Sequence, residues 1–382
     1  MRHYLDHAST TPLRPAARAA MARCLEEMAS PGGAGDPGRV HQEGRQVRQA
    51  IEEAREQVAA LAGVPPRRVV FTAGGTEAAN TAISSALSAG RAGALCARVE
   101  HSAIRLACER HGSLLELPVD GAGTVDLAVL DRLLAGGEEI GLVNCQAANH
   151  EIGTVQPVEE VAELCTRAGV PLHVDAAASF GHLEEAVPPG ADYTSLSAHK
   201  MGGPPGVGAL VLGPRTRLRP LLLGGAEERG RRAGAEDLLG IVGFGAAAEE
   251  AAAALSEEAA RTAALTAELV ARAVAVEGVE LLGPAQADRR LPHIACLSVA
   301  GVFGEAVLLG LDRAGVAVHS GSACSSESLE PSPVLEAIGA EPASSVRASL
   351  GWSSTAEDVM AFAAAFEAVV SELRALGRAG SR

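Results

Sequence analysis

The chain has 382 residues, 47% of them hydrophobic and 21% charged, with a formal net charge of −15. This balance excludes a disordered chain, which lacks the apolar surface to offset conformational entropy, and it argues against a direct nucleic-acid binder, which needs a basic stripe to neutralise phosphates. The length allows two or three domains, and small molecules or other proteins are the expected partners.

The opening residues Met1-Arg2-His3-Tyr4-Leu5-Asp6-His7 contain no apolar stretch of the secretory kind. No window is expected to reach the ~20 apolar residues of a membrane-spanning helix, so a cytoplasmic protein with no membrane partner is expected. Residues 67–209 alternate short β-branched or apolar runs with helix-like segments, the pattern of an α/β fold with a largely parallel sheet. A strand at 69–72 runs into Gly74-Gly75-Thr76-Glu77 and a helix over 78–87. A strand over 94–99 leads to Glu100-His101-Ser102, and one over 140–145 leads to Asn149-His150, followed by a helix at 158–167 that stops at Gly169. The run 171–175 is a strand that delivers Asp175 at its carboxyl end. Ligands of open α/β sheets bind at such ends, so separate loops can share one pocket. Beyond residue 238 an Ala/Glu-rich helix is expected through about 276. The last third carries strands at 293–299 and 316–319 and helices at 305–313 and 355–376, which fits a smaller α+β domain.

Lys200 is the only lysine among 32 basic residues. Arginine can serve surface charge and ion pairs, but its guanidinium does not lose a proton, whereas an imine-forming amine must. Lys200 closes Ser197-Ala198-His199-Lys200 and is followed by the Gly/Pro-rich segment 201–208, a suitable seat for a Schiff base to a carbonyl cofactor. Ser197 and His199 are donors for an anionic phosphate, as are the backbone N–H groups of Gly75 and the hydroxyl of Thr76 at a helix start. Asp175 would keep a pyridine nitrogen protonated, against the alternative of a plain turn cap, and His101 would lie over a ring or beside a substrate proton.

The seven cysteines, at positions 24, 96, 108, 145, 165, 296 and 324, include no C-x-x-C pair, so neither a metal site nor a redox dithiol is expected. Most read as small buried hydrophobes. Cys324 differs, because it sits in the small, polar run Gly321-Ser322-Ala323-Cys324-Ser325-Ser326, where a thiol needs little help to become a nucleophilic thiolate.

These motifs, with Tyr4-Leu5-Asp6-His7-Ala8-Ser9-Thr10-Thr11-Pro12, Glu151-Ile152-Gly153-Thr154-Val155-Gln156-Pro157, His173-Val174-Asp175-Ala176-Ala177, Glu228-Arg229-Gly230 and Val346-Arg347-Ala348-Ser349-Leu350-Gly351, resemble the cysteine desulfurases of the NifS/IscS type. Those enzymes belong to the class V aminotransferases, within the aspartate-aminotransferase-like fold of pyridoxal-phosphate (PLP) enzymes. The segment around Cys324, with Ser328-Leu329-Glu330-Pro331-Ser332, is similar to the branch with the longer catalytic-cysteine loop.

The resemblance implies a large PLP-binding domain over residues 14–250 and a small α+β domain from 1–13 and 251–382 carrying Cys324 and Arg347. It implies pyridoxal 5'-phosphate on Lys200, L-cysteine as substrate with its carboxylate paired bidentately by Arg347, and proton removal by freed Lys200. It also implies sulfur received on Cys324 with release of alanine, His101 stacked on the ring and moving protons, a homodimer with sites at the subunit interface, and a sulfur-acceptor protein. Three positions depart from the family: His150 stands where Asn is usual, Ala178 where Gln is usual and Ala235 where a phosphate-binding Thr reaches across from the neighbouring subunit. His150 is expected to replace the missing donor, and each lost hydrogen bond weakens cofactor binding by about 1 kcal/mol. An aminotransferase, a selenocysteine lyase and a catalytically silent sulfur-assembly scaffold are the competing readings. Iron–sulfur assembly, tRNA thiolation and DNA sulfur modification all remain open as destinations.

Overall fold

The computed structural model describes residues 2–30, 32–33, 35–87, 93–136, 139–320 and 331–380, with residues 378–380 described by backbone alone. A seven-stranded sheet runs in the order Val69–Thr72, Gly208–Leu212, Tyr193–Ser197, Leu172–Asp175, Ile140–Gln146, Gly93–Ala97, Ser113–Leu117. Only Gly208–Leu212 runs against the rest. The inner strands are apolar runs and not alternating ones because helices cover both faces: every position of Gly93–Ala97 and Ile140–Gln146 is buried. The helices Gly75–Leu87, Ser102–His111, Leu127–Ala135 and Val158–Ala168 fall between these strands in the chain. Gly169, at φ 68°, ends the last of them in the left-handed conformation that glycine adopts without a Cβ clash.

The helices Pro15–Ala29 and Gln42–Leu61, which the sequence reading does not anticipate, pack on the long helix Leu238–Val274. Among the described residues that long helix alone is long and apolar enough to cross a membrane, which corrects the expectation that no window would reach that length. Its apolarity comes from Gly and Ala that let backbones approach. A Cβ added at Gly245 would lie 2.6 Å from the Ala54 Cα, and half of the apolar window is buried inside the protein.

The C-terminal third builds a three-stranded antiparallel sheet, Ser345–Ser349, Ile294–Val299, Val279–Leu282. Its core, with Leu297, Val346, Phe362 and Phe366, also takes in Leu5. The chain's first strand, His3–Tyr4, pairs in parallel with Val316–Ala317. The strand expected over 316–319 is therefore only two residues long, because beyond it the chain changes partner and His319 bridges to Arg347. Cys296, Val334 and Leu335 instead join the core of the large sheet.

Arg14 is fully buried where the parts of the molecule meet. Its Nη1 and Nη2 donate to Glu258 at 2.7 and 2.6 Å and its Nε to the Met201 carbonyl at 2.8 Å. A buried, bidentate pair of this kind has little freedom, so it ties the long helix to the backbone just after Lys200.

Candidate active site

The carboxyl ends of the parallel strands open on a cavity of about 920 Å³ lined by Gly75, Thr76, His101, His150, Asp175, Ser197, His199, Lys200 and Arg347. The structure thus brings together every site residue expected from the sequence except Cys324, which lies outside the described residues.

Lys200 stands in the turn after Tyr193–Ser197, its carbonyl 3.1 Å from His182 Nε2. The backbone on its two sides is pinned, with Thr11 N–H donating to the His199 carbonyl at 2.9 Å and Gly203 N–H to the Ala198 carbonyl at 2.9 Å. Gly202 holds φ 94°, and a Cβ there would meet the Arg14 side chain at 2.5 Å, so glycine is required on both counts.

Asp175 ends its strand in register with Gln146 on one side and Ser195 on the other. Its Oδ1 accepts from the Ser195 hydroxyl at 2.7 Å and from Ala177 N–H at 3.1 Å. Behind them His173 lies 3.3 Å from the Ser195 hydroxyl, and burial pushes its pKa down to about 4, so it stands neutral.

His101 caps the helix Ser102–His111, its Nδ1 accepting from Ala103 N–H at 3.1 Å. Burial first, and then the charge of Lys200, hold its pKa below the usual histidine value. With Nδ1 occupied as an acceptor, the neutral ring carries its proton on Nε2. His150 meets His101 edge-to-face at a centroid separation of 5.4 Å. Burial, then Lys200, His101 and Arg347, push His150 well below its ordinary value. Its Nε2 approaches Glu151 Oε1 at 3.7 Å, and because the ring is uncharged this is not an ion pair. His199 Nδ1 is 3.3 Å from the Thr10 hydroxyl.

Arg347 is 1% exposed and enters the cavity from Ser345–Ser349. Nη1 donates to the His150 carbonyl at 3.0 Å, and Nη2 donates to Asp6 at 2.8 Å and to the Ser9 hydroxyl at 2.6 Å. Nε is buried without a partner among the described residues. The bidentate grip expected of Arg347 therefore has Nε available, while both terminal nitrogens already hold protein groups.

The sequence reading assigned no role to Asp6, Ser9, Ser195 or Glu100. Asp6 and Ser9 lie in a motif quoted for the resemblance, but nothing local marks them as partners of a residue in the last third. Glu100 is 2% exposed, and burial followed by the charge of Asp175 raises its pKa well above the carboxylate range. Its Oε1 accepts from Gln146 N–H, and its Oε2 has no partner among the described residues. All the cysteines within the described residues are buried. Burial pushes the Cys165 and Cys296 thiols up to about 12, and Cys96 and Cys145 well above their ordinary value.

A lysine amine, a carboxylate at a strand end, an imidazole against the cavity and hydroxyl and N–H donors at the start of Gly75–Leu87 match, group for group, the aldehyde, pyridine nitrogen, ring and phosphate of PLP. The donor set fits this cofactor, and fold and site together define a PLP enzyme of the doubly wound α/β class. Residues 3–362 match aminotransferase class-V, and the chain belongs to that family. It is 39% identical to "Cysteine desulfurase IscS" of Dictyoglomus turgidum, over 98% of this chain and 95% of that protein. It is 38% identical to "Cysteine desulfurase IscS 1" of Archaeoglobus fulgidus, over 98% of each. Among solved structures, a NifS-like protein from Rickettsia africae superposes with a TM-score of 0.87 at 26% identity, covering 97% of this chain and 100% of that one.

Proposed function

We propose that this chain is a PLP-dependent cysteine desulfurase that converts L-cysteine to L-alanine and takes the sulfur onto Cys324. The observation that carries this reading is the gathering of Lys200, Asp175, His101 and Arg347 around one cavity, in a chain alike over nearly its whole length to proteins named as cysteine desulfurases.

Bound in the cavity, the cofactor supplies an electron sink. Lys200 is the amine that holds it and the base that takes the substrate's Cα proton. Asp175 is the carboxylate for the pyridine nitrogen, and the Ser195 hydroxyl keeps it oriented. Gly75, Thr76, Ser197 and His199 would hold the phosphate, and His150 would supply a neutral N–H to the phenolic oxygen. Arg347 offers Nε to the substrate carboxylate. His101 would stack on the ring with Nε2 as donor, and it would take up a proton only by giving its own proton away or releasing Ala103 N–H.

Sulfur transfer forms an S–S bond from Cys324 Sγ to the substrate sulfur. The Cβ–S bond breaks with its electron pair left on carbon, which is protonated. One cysteine and one thiol become one alanine and one persulfide, so the carbon is reduced and the sulfurs oxidised. The thiols of Cys96, Cys145, Cys165 and Cys296, held protonated by burial, are poor nucleophiles, which favours Cys324.

The finer features belong to the same proposal: a functional division into residues 14–250 and 1–13 with 251–382, a homodimer, a sulfur-acceptor protein and a cytoplasmic setting. Ala178 lines the cofactor cavity with a side chain that offers no donor, and Ala235 lines a separate cavity.

The test is incubation with L-cysteine, alanine assay and mass spectrometry of the Cys324 peptide. Added sulfur is expected on that peptide and on no other. Cys324→Ser should keep its PLP and yield no alanine; near-normal alanine from that variant, or sulfur found only elsewhere, overturns the reading.

A further inference from the structure

Glu151 has no part in the chemistry above, yet it is 3% exposed beside it. Ser332, itself 2% exposed, donates its hydroxyl to Glu151 Oε2 at 2.7 Å while its oxygen accepts from Leu335 N–H at 3.2 Å. The serine proton is thus committed to the carboxyl, because the oxygen already serves as the cap of Pro333–Ala337. Glu151 is held in turn: its N–H and that of Ile152 donate to Asn149 Oδ1 at 2.8 and 2.9 Å, and the preceding carbonyl, of His150, accepts from Arg347 Nη1.

Cys324 lies between two described anchors. Before it in the chain, His319 N–H donates to the Arg347 carbonyl at 3.0 Å, and Arg347 N–H donates back to the His319 carbonyl. After it, Ser332 holds Glu151. His319 and Ser332 therefore both connect to Arg347, one directly and one through Glu151 and His150. The titratable groups that face Glu151 are Arg347 on Ser345–Ser349, His150 on its own turn and Cys296 on Ile294–Val299; of these only Arg347 is charged.

We propose that Glu151 is a positioning residue for sulfur transfer: it fixes Ser332, eight residues after Cys324 in the chain, next to the turn whose His150 carbonyl holds Arg347. The proposal rests on the desulfurase reading. The step it serves is the one balanced above, with the S–S bond forming at Cys324 as the Cβ–S bond breaks. Burial raises the Glu151 pKa to about 7, so its grip on Ser332 strengthens as it ionises near neutrality.

The experiment uses the PLP-loaded enzyme in a single turnover with L-cysteine, following sulfur on the Cys324 peptide by mass spectrometry alongside PLP content and the KM for cysteine. Ser332→Ala and Glu151→Ala are expected to slow sulfur arrival about tenfold, as loss of a charge-assisted hydrogen bond worth roughly 1.5 kcal/mol would. PLP content and KM should move less than twofold. Ser332→Thr, which keeps the hydroxyl, should restore the rate, and Glu151→Gln should lose the part of the wild-type rate profile that rises through pH 7. Wild-type rates in Ser332→Ala and Glu151→Ala overturn the positioning role, as does a Thr variant no faster than Ala or an unchanged profile in Glu151→Gln. Absence of sulfur on Cys324 in the wild type itself would instead overturn the desulfurase reading.

Discussion

Asp175, backed by Ser195, and Ser197 reach the pocket from adjacent strands of one mostly parallel sheet, whereas Arg347 reaches it from the other sheet and meets Asp6, Ser9 and the His150 carbonyl there. The first group is spaced by a hydrogen-bond ladder in which Asp175 is opposite Ser195, so its geometry follows once the strands pair. The second group has no such ladder. Its members are far apart in the chain and meet only because His3–Tyr4 pairs with Val316–Ala317 and Ser345–Ser349 passes beside residues 6–9. The floor proposed to hold the cofactor is therefore a product of one sheet, and the wall proposed to meet the substrate is a product of how both ends of the chain fold together.

The comparison predicts that floor and wall fail in different ways. The largest effect is expected at Lys200: both Lys200→Ala and Lys200→Arg should reduce alanine formation to background, and borohydride should fix PLP to the wild type alone. Activity in the Arg variant would remove Lys200 from its role, since a guanidinium keeps the charge but not the reactive amine.

At the wall, Arg347→Lys should raise the KM for cysteine by about 10²-fold with little change in PLP content, because a hydrogen bond to a charged group is worth roughly 1.5–3 kcal/mol and Lys lacks the fork that also holds Asp6 and Ser9. Equal loss of PLP and of substrate affinity would erase the distinction between floor and wall.

Glu151 sharpens it by pH. Its folded pKa of about 7 lies above the unfolded value of about 4.5, so the folded state holds the proton more tightly. The stability this contributes is fully present below pH 4.5 and is lost as pH rises through 7, by up to about 3 kcal/mol. Glu151→Gln should accordingly gain stability over the wild type at pH 8 and not at pH 4, read from urea midpoints; parallel curves would place the carboxyl in a more polar setting.

The smallest effect is expected from His150→Ala, about fivefold weaker PLP retention after dialysis, as for one hydrogen bond near 1 kcal/mol. Equal retention would assign His150 to the wall alone, where its carbonyl serves Arg347.

The sequence by itself determined the α/β class, the strand ends that carry Asp175 and Lys200, and a helix over 78–87 that the structure starts three residues earlier at Gly75, because apolar runs, glycine turns and a solitary lysine are local signals. It could not determine the N-terminal helices' seat on Leu238–Val274, nor that this apolar helix is half covered by the rest of the protein, since an Ala/Gly-rich surface does not say what packs on it. Nor could it find Asp6 and Ser9 on Arg347, the Ser195 hydroxyl on Asp175 or Ser332 on Glu151. Those pairs were decided by the tertiary structure alone. A buried polar group must find a partner wherever the fold provides one, and that partner's distance along the chain leaves no periodicity or spacing to read.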